Sequence, residues 1–415
     1  MKILLWHGYL LGGTGSNVYT RSLARAWSRL GHDVTVFCQE PHPERFDVGG
    51  AKVVRPETGR FLPVFVLDRY EDLEPRYLQD LTRDERERFV ERNAAAVREH
   101  LPADYLLTNH VLLGAPVGAA TGAPFAVKAH GSELEFSMRR NADLAAWARD
   151  TLARARDVIV GSDHIRRVLE EVVGAGDYLE RVRLAPPGVD VEEFRPEARE
   201  DALENLLREA ERDPPNPGRR FERLPDEGNR ERLEAFLGRD GRTVVYVGKL
   251  SAEKGVSLLL EALRPIDARA VVAGFGPARE ELEAAADERV LFTGPLEHRH
   301  LAHLLPLADV SVTPSVFPEA FGMVAAEAAA CGSPPLVARH SGLATVAAGL
   351  EAEYPSRYRE LASFRTGDAG DLTAKMEAIL SLPRDDWWAL SEAARRAAVA
   401  NWSWERIATL LLSFR

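Results

Sequence analysis

Residues Pro314–Gly342 read PSVFPEAFGMVAAEAAACGSPPLVARHSG, and this stretch decides the fold. An apolar run, Val310–Thr313, precedes it and another, Leu336–Ala338, lies inside it; both have the length and apolarity of buried strands. Between them, Pro318 and Gly322 suit a tight turn that opens a helix, and Ala325–Ala330 carries that helix on. Strand, turn, helix and strand make one unit of a parallel α/β sheet. Two carboxylates, Glu319 and Glu327, stand on either side of the helix start. Unpaired amides at such a start, together with the helix dipole, attract phosphate. The spacing places Glu319 in the loop and Glu327 two turns into the helix, about 9 Å along at ~1.5 Å per residue. That is the scale of a sugar–diphosphate nucleotide, with a carboxylate beside each sugar ring. The same spacing also fits an ordinary buried helix with two incidental glutamates, so the rest of the chain must arbitrate.

Working outward, the same alternation runs almost throughout. In the first half, Ile3–Trp6, Val34–Phe37, Tyr105–Leu107, Phe125–Ala129 and Val158–Val160 read as strands, with helical patterns at Val18–Leu30, Leu144–Arg154 and Ile165–Val173. A second series starts at Val244–Val247 and continues through Ala270–Ala273, Val290–Phe292 and Val310–Thr313 to Leu336–Ala338. Two series imply two Rossmann-like lobes, with the join in Leu184–Pro196, where LAPPGVDVEEFRP breaks the periodicity. The boundaries drawn are 1–183 for the first domain and 184–383 for the second. The charged, proline-bearing stretch 197–241 is expected to be a solvated surface insertion. Trp402, Trp404, Ile407, Leu410 and Leu411 give an apolar surface to a final helix within 384–415.

Composition narrows the function classes. The 415 residues suffice for two or three domains, and 45% hydrophobic with 28% charged content is that of a soluble globular protein. A net charge of −11 argues against general nucleic-acid binding and gives no support for contact with an anionic membrane surface. Two cysteines, Cys38 and Cys331, permit no disulfide framework or cysteine-rich metal site. The start, MKILLWHGYLLGG, reads as a strand ending in glycines instead of a signal peptide, and no transmembrane run occurs; a cytoplasmic enzyme is the expectation.

Several loops carry candidate chemistry. Gly12, Gly13 and Gly15 follow the first strand and allow a ligand close to the backbone. The run lacks the third glycine of a dinucleotide fingerprint, yet Glu40 after the second strand would suit a ribose, so a NAD- or FAD-binding reading stays open. His130, in KAHGSE, ends a parallel strand, on the edge where such sheets bind ligands, and could hydrogen-bond a sugar hydroxyl. Lys249 and Lys254 share the loop YVGKLSAEKGV, although only six of the 53 basic residues are lysines. Compact ammonium groups there could hold a diphosphate and stabilise it as it leaves; Glu253 is the alternative, salt-bridging partner for them. Gly274 and Gly276 in AGFGP read as a wall of a site. Asp-x-Asp is absent, and His298, His300 and His303 read as a polar helix face, so no metal site is assigned.

Together these segments resemble the GT-B fold glycosyltransferases of family 4: the GG loop, GHDVTVF, KAHGSE, PPGVDVEEFRP, YVGKLSAEKG, AGFGP and the E-x7-E segment, in that order. The resemblance implies two Rossmann-like domains facing across a cleft, with a C-terminal helix crossing back to the first. It implies a retaining, metal-independent transfer of a hexose from a nucleotide-diphosphate sugar, with no cofactor besides that donor. The acceptor would be a small molecule, a glycan or a lipid-linked hydroxyl. By the same resemblance His130, Glu319 and Lys254 are the catalytic set. Gly13, Lys249, Lys254, Glu319, Ala320, Phe321, Gly322 and Glu327 hold the donor, with Glu319 at the sugar and Glu327 at the ribose. Acceptor contacts are expected in Arg60–Arg76 and Glu133–Arg140. The sequence departs from the family where Ser341, Gly342, Leu343 and Thr345 replace the usual Gly-Gly-Leu-x-Glu, and where Lys249 replaces an arginine. A sugar-nucleotide epimerase, a sugar phosphorylase and a non-catalytic nucleotide-sugar-binding subunit remain as alternatives.

Overall fold

In the computed structural model, residues 1–65 and 73–414 are described. The chain divides into two compact units, Met1–Gly188 with Trp404–Arg415, and Val189–Ser403. In the first unit the strands are β1 (Lys2–Trp6), β2 (Asp33–Phe37), β3 (Lys52–Val54), β4 (Phe61–Val64), β5 (Glu74–Tyr77), β6 (Tyr105–Asn109), β7 (Ala126–Lys128), β8 (Asp157–Val160) and β9 (Val182–Leu184). All but β4 and β5, which pair with each other, form one parallel sheet in the order β3-β2-β1-β6-β7-β8-β9. Strands covered on both faces must be apolar at every position, and Ile3, Leu4, Leu5 and Trp6 are all fully buried.

The second unit holds β10 (Thr243–Val247), β11 (Arg269–Ala273), β12 (Val290–Gly294), β13 (Val310–Thr313), β14 (Pro335–Ala338) and β15 (Ser363–Phe364). Their order is β12-β11-β10-β13-β14-β15, parallel throughout. Both sheets therefore reverse direction beside their first strand, between β1 and β6 and between β10 and β13. Loops leaving the carboxyl ends of strands at such a reversal part from each other and open a crevice, where α/β proteins bind ligands.

Two boundaries differ from expectation, the first being the join, which falls after Gly188 and not after residue 183. The helix Arg384–Trp402 belongs to the second unit, not to a tail returning to the first; only Trp404–Ser413 joins the first. Arg395 explains the former, since its guanidinium donates to the carbonyls of Val191, Phe194 and Ala330 at 2.9, 2.7 and 2.7 Å. Ser403, extended at φ −62° and ψ 143°, separates the two helices. The short last helix then packs on Gly15–Arg29, where the Trp27 indole donates to Ala408 O at 3.0 Å.

The stretch 197–241 is a packed layer, not a solvated insertion. Ala202, Leu206, Leu233 and Leu237 of its helices Arg199–Ala210 and Asn229–Leu237 are buried in the core of the second unit. Its charges are tied inward as well: Asp226, nearly inaccessible, accepts from Arg279 at 2.9 Å and from Arg232 at 3.3 Å. His300 and His303, expected on a polar face, meet Asp213 at 3.0 Å and Glu197 at 2.8 Å. Among the described residues no helix is long and apolar enough to cross a membrane.

Candidate active site

In the second unit the crevice at the sheet reversal is bounded by the loops that follow β10 and β13. The first carries Lys249, exposed, and Lys254, at the end of a short 3-10 turn, Ala252–Lys254. The second carries Glu319 and runs into the helix Met323–Ala330. The amides of Val316 and Phe317 donate to Glu253 O at 2.9 and 3.2 Å, which fixes one loop to the other. Across this seam the Lys254 ammonium pairs with the Glu319 carboxylate, and both remain partly exposed, at 33% and 22%. The expected alternative partner, Glu253, instead accepts from the Ser251 hydroxyl. Lys249 has no ion pair among the described residues.

Gly322 caps the helix with φ +127°, in a region that side-chain-bearing residues avoid, and a Cβ there would approach Leu343 to 2.7 Å. Ala320 is exposed at the loop tip, whereas the Phe321 side chain is buried against Trp402 with ring centroids 6.0 Å apart. Phe321 can thus offer a ligand its backbone but not its ring. Glu327 lies four residues into the helix, about one turn and not the two expected, because the helix begins only at Met323. It is 4% exposed; burial holds its carboxyl above the usual range, His298 opposes the rise and Glu193 adds to it. His298 Nε2 stands 3.8 Å from Glu327 Oε1, and the histidine ring packs edge-on to Phe194.

In the first unit the corresponding reversal carries the glycine loop after β1. Gly13 has φ +91° with nothing within 4 Å of where a Cβ would stand, so its backbone faces open space. Glu40 accepts from the amides of Leu11 and His42, both at 3.1 Å. Its carboxylate braces this loop, and the ribose role of the dinucleotide reading loses its residue.

His130 follows β7 and is held from several sides. Its Nε2 meets Asn109 Oδ1 at 2.7 Å, and its amide donates to Glu133 Oε1 at 3.0 Å. The Asn109 amide nitrogen is turned to Thr20 Oγ1 at 3.2 Å, so Oδ1 accepts and the proton sits on Nε2. Burial lowers the His130 pKa well below the ordinary value, and His110, Lys128 and His7 add to that. A neutral ring donating through Nε2 leaves the Nδ1 lone pair to accept from a hydroxyl. Glu133, fully buried, also takes the Val111 amide and His110 Nδ1, each at 3.3 Å. Burial opposes the ionisation of Glu133, but His110 and these donors outweigh it and leave the pKa below the usual value. Sequence reasoning passed over Asn109 and took Glu133 only as the start of an acceptor segment, not as the brace of His130. Of the expected acceptor segments, Arg139 is engaged with Glu135 and Glu171, and 66–72 lie outside the described residues.

Comparison with known proteins gives the family and the fold class. The family described as "Glycosyl transferases group 1" covers residues 229–396, and "Glycosyltransferase Family 4" covers residues 13–193. The chain belongs to glycosyltransferase family 4. Among curated relatives, a D-inositol 3-phosphate glycosyltransferase of Xylanimonas cellulosilytica is 34% identical over 209 residues, 48% of this chain and 44% of that one. A GDP-mannose-dependent alpha-(1-6)-phosphatidylinositol dimannoside mannosyltransferase of Mycobacterium tuberculosis is 41% identical over 110 residues, 25% of this chain and 29% of that one. The matches thus span less than half the length of these two relatives. Two solved structures share the fold along nearly the whole chain. They are Anabaena HepE in complex with UDP, with a TM-score of 0.68, 17% identity and coverage of 100% and 99%, and the sucrose-phosphate synthase of Thermosynechococcus elongatus, with 0.62, 22% and coverage of 99% and 97%. The fold class is therefore GT-B, α/β with parallel sheets in two domains.

Proposed function

We propose that the chain is a retaining glycosyltransferase that moves a hexose from a nucleoside-diphosphate sugar to an acceptor hydroxyl without a metal. The observation that carries this reading is the convergence of Lys254 and Glu319, 65 positions apart in sequence, at the sheet reversal of the second unit beside the opening of the helix Met323–Ala330. The diphosphate would lie against that helix start, with Lys249 and Lys254 compensating its charge. Glu319 would take the sugar hydroxyls, releasing Lys254 to the phosphate, and Glu327 the ribose. In the first unit the accepting Nδ1 of His130 would take a sugar hydroxyl, and the open backbone of Gly13 would admit a ligand.

The reaction breaks the bond between the anomeric carbon and the β-phosphate oxygen, and its electron pair stays on the diphosphate. The acceptor oxygen bonds to the same face of that carbon and yields its proton to the departing phosphate oxygen, so configuration is retained. Lysines and helix amides stabilise the charge that grows on the leaving group, where one well-placed donor is worth about 10²–10³ in rate. HepE is solved with UDP, and one relative is named as GDP-mannose-dependent. The donors to screen by calorimetry are therefore UDP-glucose and GDP-mannose, with inositol phosphates among the acceptors. Glu319→Ala and Lys254→Ala should each abolish donor hydrolysis and transfer while circular dichroism stays that of the parent chain. Near-normal rates in both variants would defeat the assignment, and an inverted anomeric proton coupling in the product would defeat retention.

A further inference from the structure

The catalytic loop is tied to a second loop by a short relay of hydrogen bonds at His340 and Ser341. His340 Nε2 lies 2.7 Å from the carbonyl oxygen of Ser315, which can only accept, so that nitrogen carries a proton. In the neutral ring Nδ1 then accepts from the Ser341 hydroxyl, 3.0 Å away. The hydroxyl oxygen in turn accepts the Glu319 amide at 2.9 Å, and the Gly342 amide donates to Glu319 O at 2.9 Å. Glu319 is thereby gripped by both backbone polar groups from one loop, while its carboxylate is gripped by Lys254 from another.

The relay exists at a conformational cost. Ser341 has φ +47°, where a residue with a side chain is strained and glycine is not. Glycine at 341 would satisfy the backbone and still leave the Gly342 amide on Glu319 O. Only the bond from Ser341 Oγ to the Glu319 amide, and through it the link to His340 and Ser315, requires the serine.

We propose that Ser341 and His340 are positioning residues that fix Glu319 at the donor sugar, and that the strained serine is retained for this purpose. The proposal rests on the glycosyltransfer reading above, and its signature is a separation of two quantities. Affinity for the sugar-free nucleoside diphosphate belongs to the lysines and helix amides and is untouched. Turnover of the sugar nucleotide depends on where the Glu319 carboxylate stands and falls.

The test uses Ser341→Gly, His340→Ala and His340→Asn in the full chain, with UDP and GDP as the binding probes. Ser341→Gly folds with a melting temperature at or above that of the parent, because its φ is relieved. It binds the preferred diphosphate with unchanged Kd, and kcat for hydrolysis of the matching sugar nucleotide falls about tenfold or more. His340→Ala behaves likewise. His340→Asn, whose side-chain oxygen can accept from Ser341 in place of Nδ1, recovers part of the loss. In both Ser341→Gly and His340→Ala the Glu319 amide loses protection from hydrogen exchange. An active parent with equal kcat in Ser341→Gly, or a Glu319 amide protected equally in all chains, overturns this inference alone. Parallel losses of kcat and diphosphate affinity reduce the relay to general support of the loop and overturn it too. A parent chain that turns over no sugar nucleotide overturns the transferase reading and this proposal with it.

Discussion

Replacing Lys128 by methionine should flatten the rise of stability with pH between 7.5 and 9.5. Lys128 ends β7, is 2% exposed, and has its ammonium on Ala185 O at 2.6 Å and 5.5 Å from the centre of the Tyr19 ring. Burial lowers its pKa from 10.5 to about 7, against a smaller opposing pull from Glu133. The unfolded chain therefore binds this proton more tightly than the folded one between pH 7 and 10.5. In that window stability climbs as pH rises, and the full penalty of the buried charge is present below it. With one pKa unit equal to ~1.36 kcal/mol, the gain between pH 7.5 and 9.5 is on the order of 2 to 3 kcal/mol. Methionine keeps the length of the side chain and removes the titration, so urea unfolding of parent and variant at the two pH values isolates the term. Only six lysines are present, so a chain labelled at lysine Cε gives few enough signals to follow Lys128 directly. Parallel stability curves, or a Lys128 midpoint above 9, would show that burial does not depress this ammonium.

Two further outcomes are expected. Asp226→Ala removes the carboxylate that holds Arg279 and Arg232, and leaves Arg279, whose side chain is 13% exposed, without that partner. Urea unfolding should show a loss of about 3 kcal/mol, the lower end for breaking a buried pair because Arg232 still reaches water; a loss under about 1 kcal/mol would sink this account. Glu327→Gln abolishes a charge that burial disfavours. With its folded pKa raised, the carboxyl's contribution to stability is lost as pH climbs from the ordinary carboxylate value through the raised one, so at pH 7.5 the variant should melt no lower than the parent. Its affinity for the nucleoside diphosphate should fall if Glu327 holds the ribose, and unchanged affinity would remove that role.

The two-sheet α/β architecture was legible because parallel strands buried on both faces must be written as short apolar runs. The runs at Ile3–Trp6, Val244–Val247 and Val310–Thr313 fall inside β1, β10 and β13. The stretch 197–241 misled because charge density resembles solvation. Its leucines at 206 and 233 are sparse, and the arginines that draw Asp226 and Asp213 inward, Arg279 and Arg299, lie 53 and 86 positions away. The final helix misled for a related reason: apolar spacing runs on through Trp402 and Trp404, while one extended residue, Ser403, divides their allegiance.

The sequence alone set the place of most strands in both series and the residue types that follow them: glycines after β1 and β11, lysines after β10 and a glutamate after β13. Those follow from local rules, the period of burial and the chemistry of a turn. Only the tertiary structure decided that Lys254 meets Glu319 instead of its neighbour Glu253, that Glu40 braces a loop, that Phe321 is core, and that Ser341 accepts strain to hold Glu319. Each of these depends on which loops the sheet reversal brings together, and that adjacency arises only once distant strands have paired.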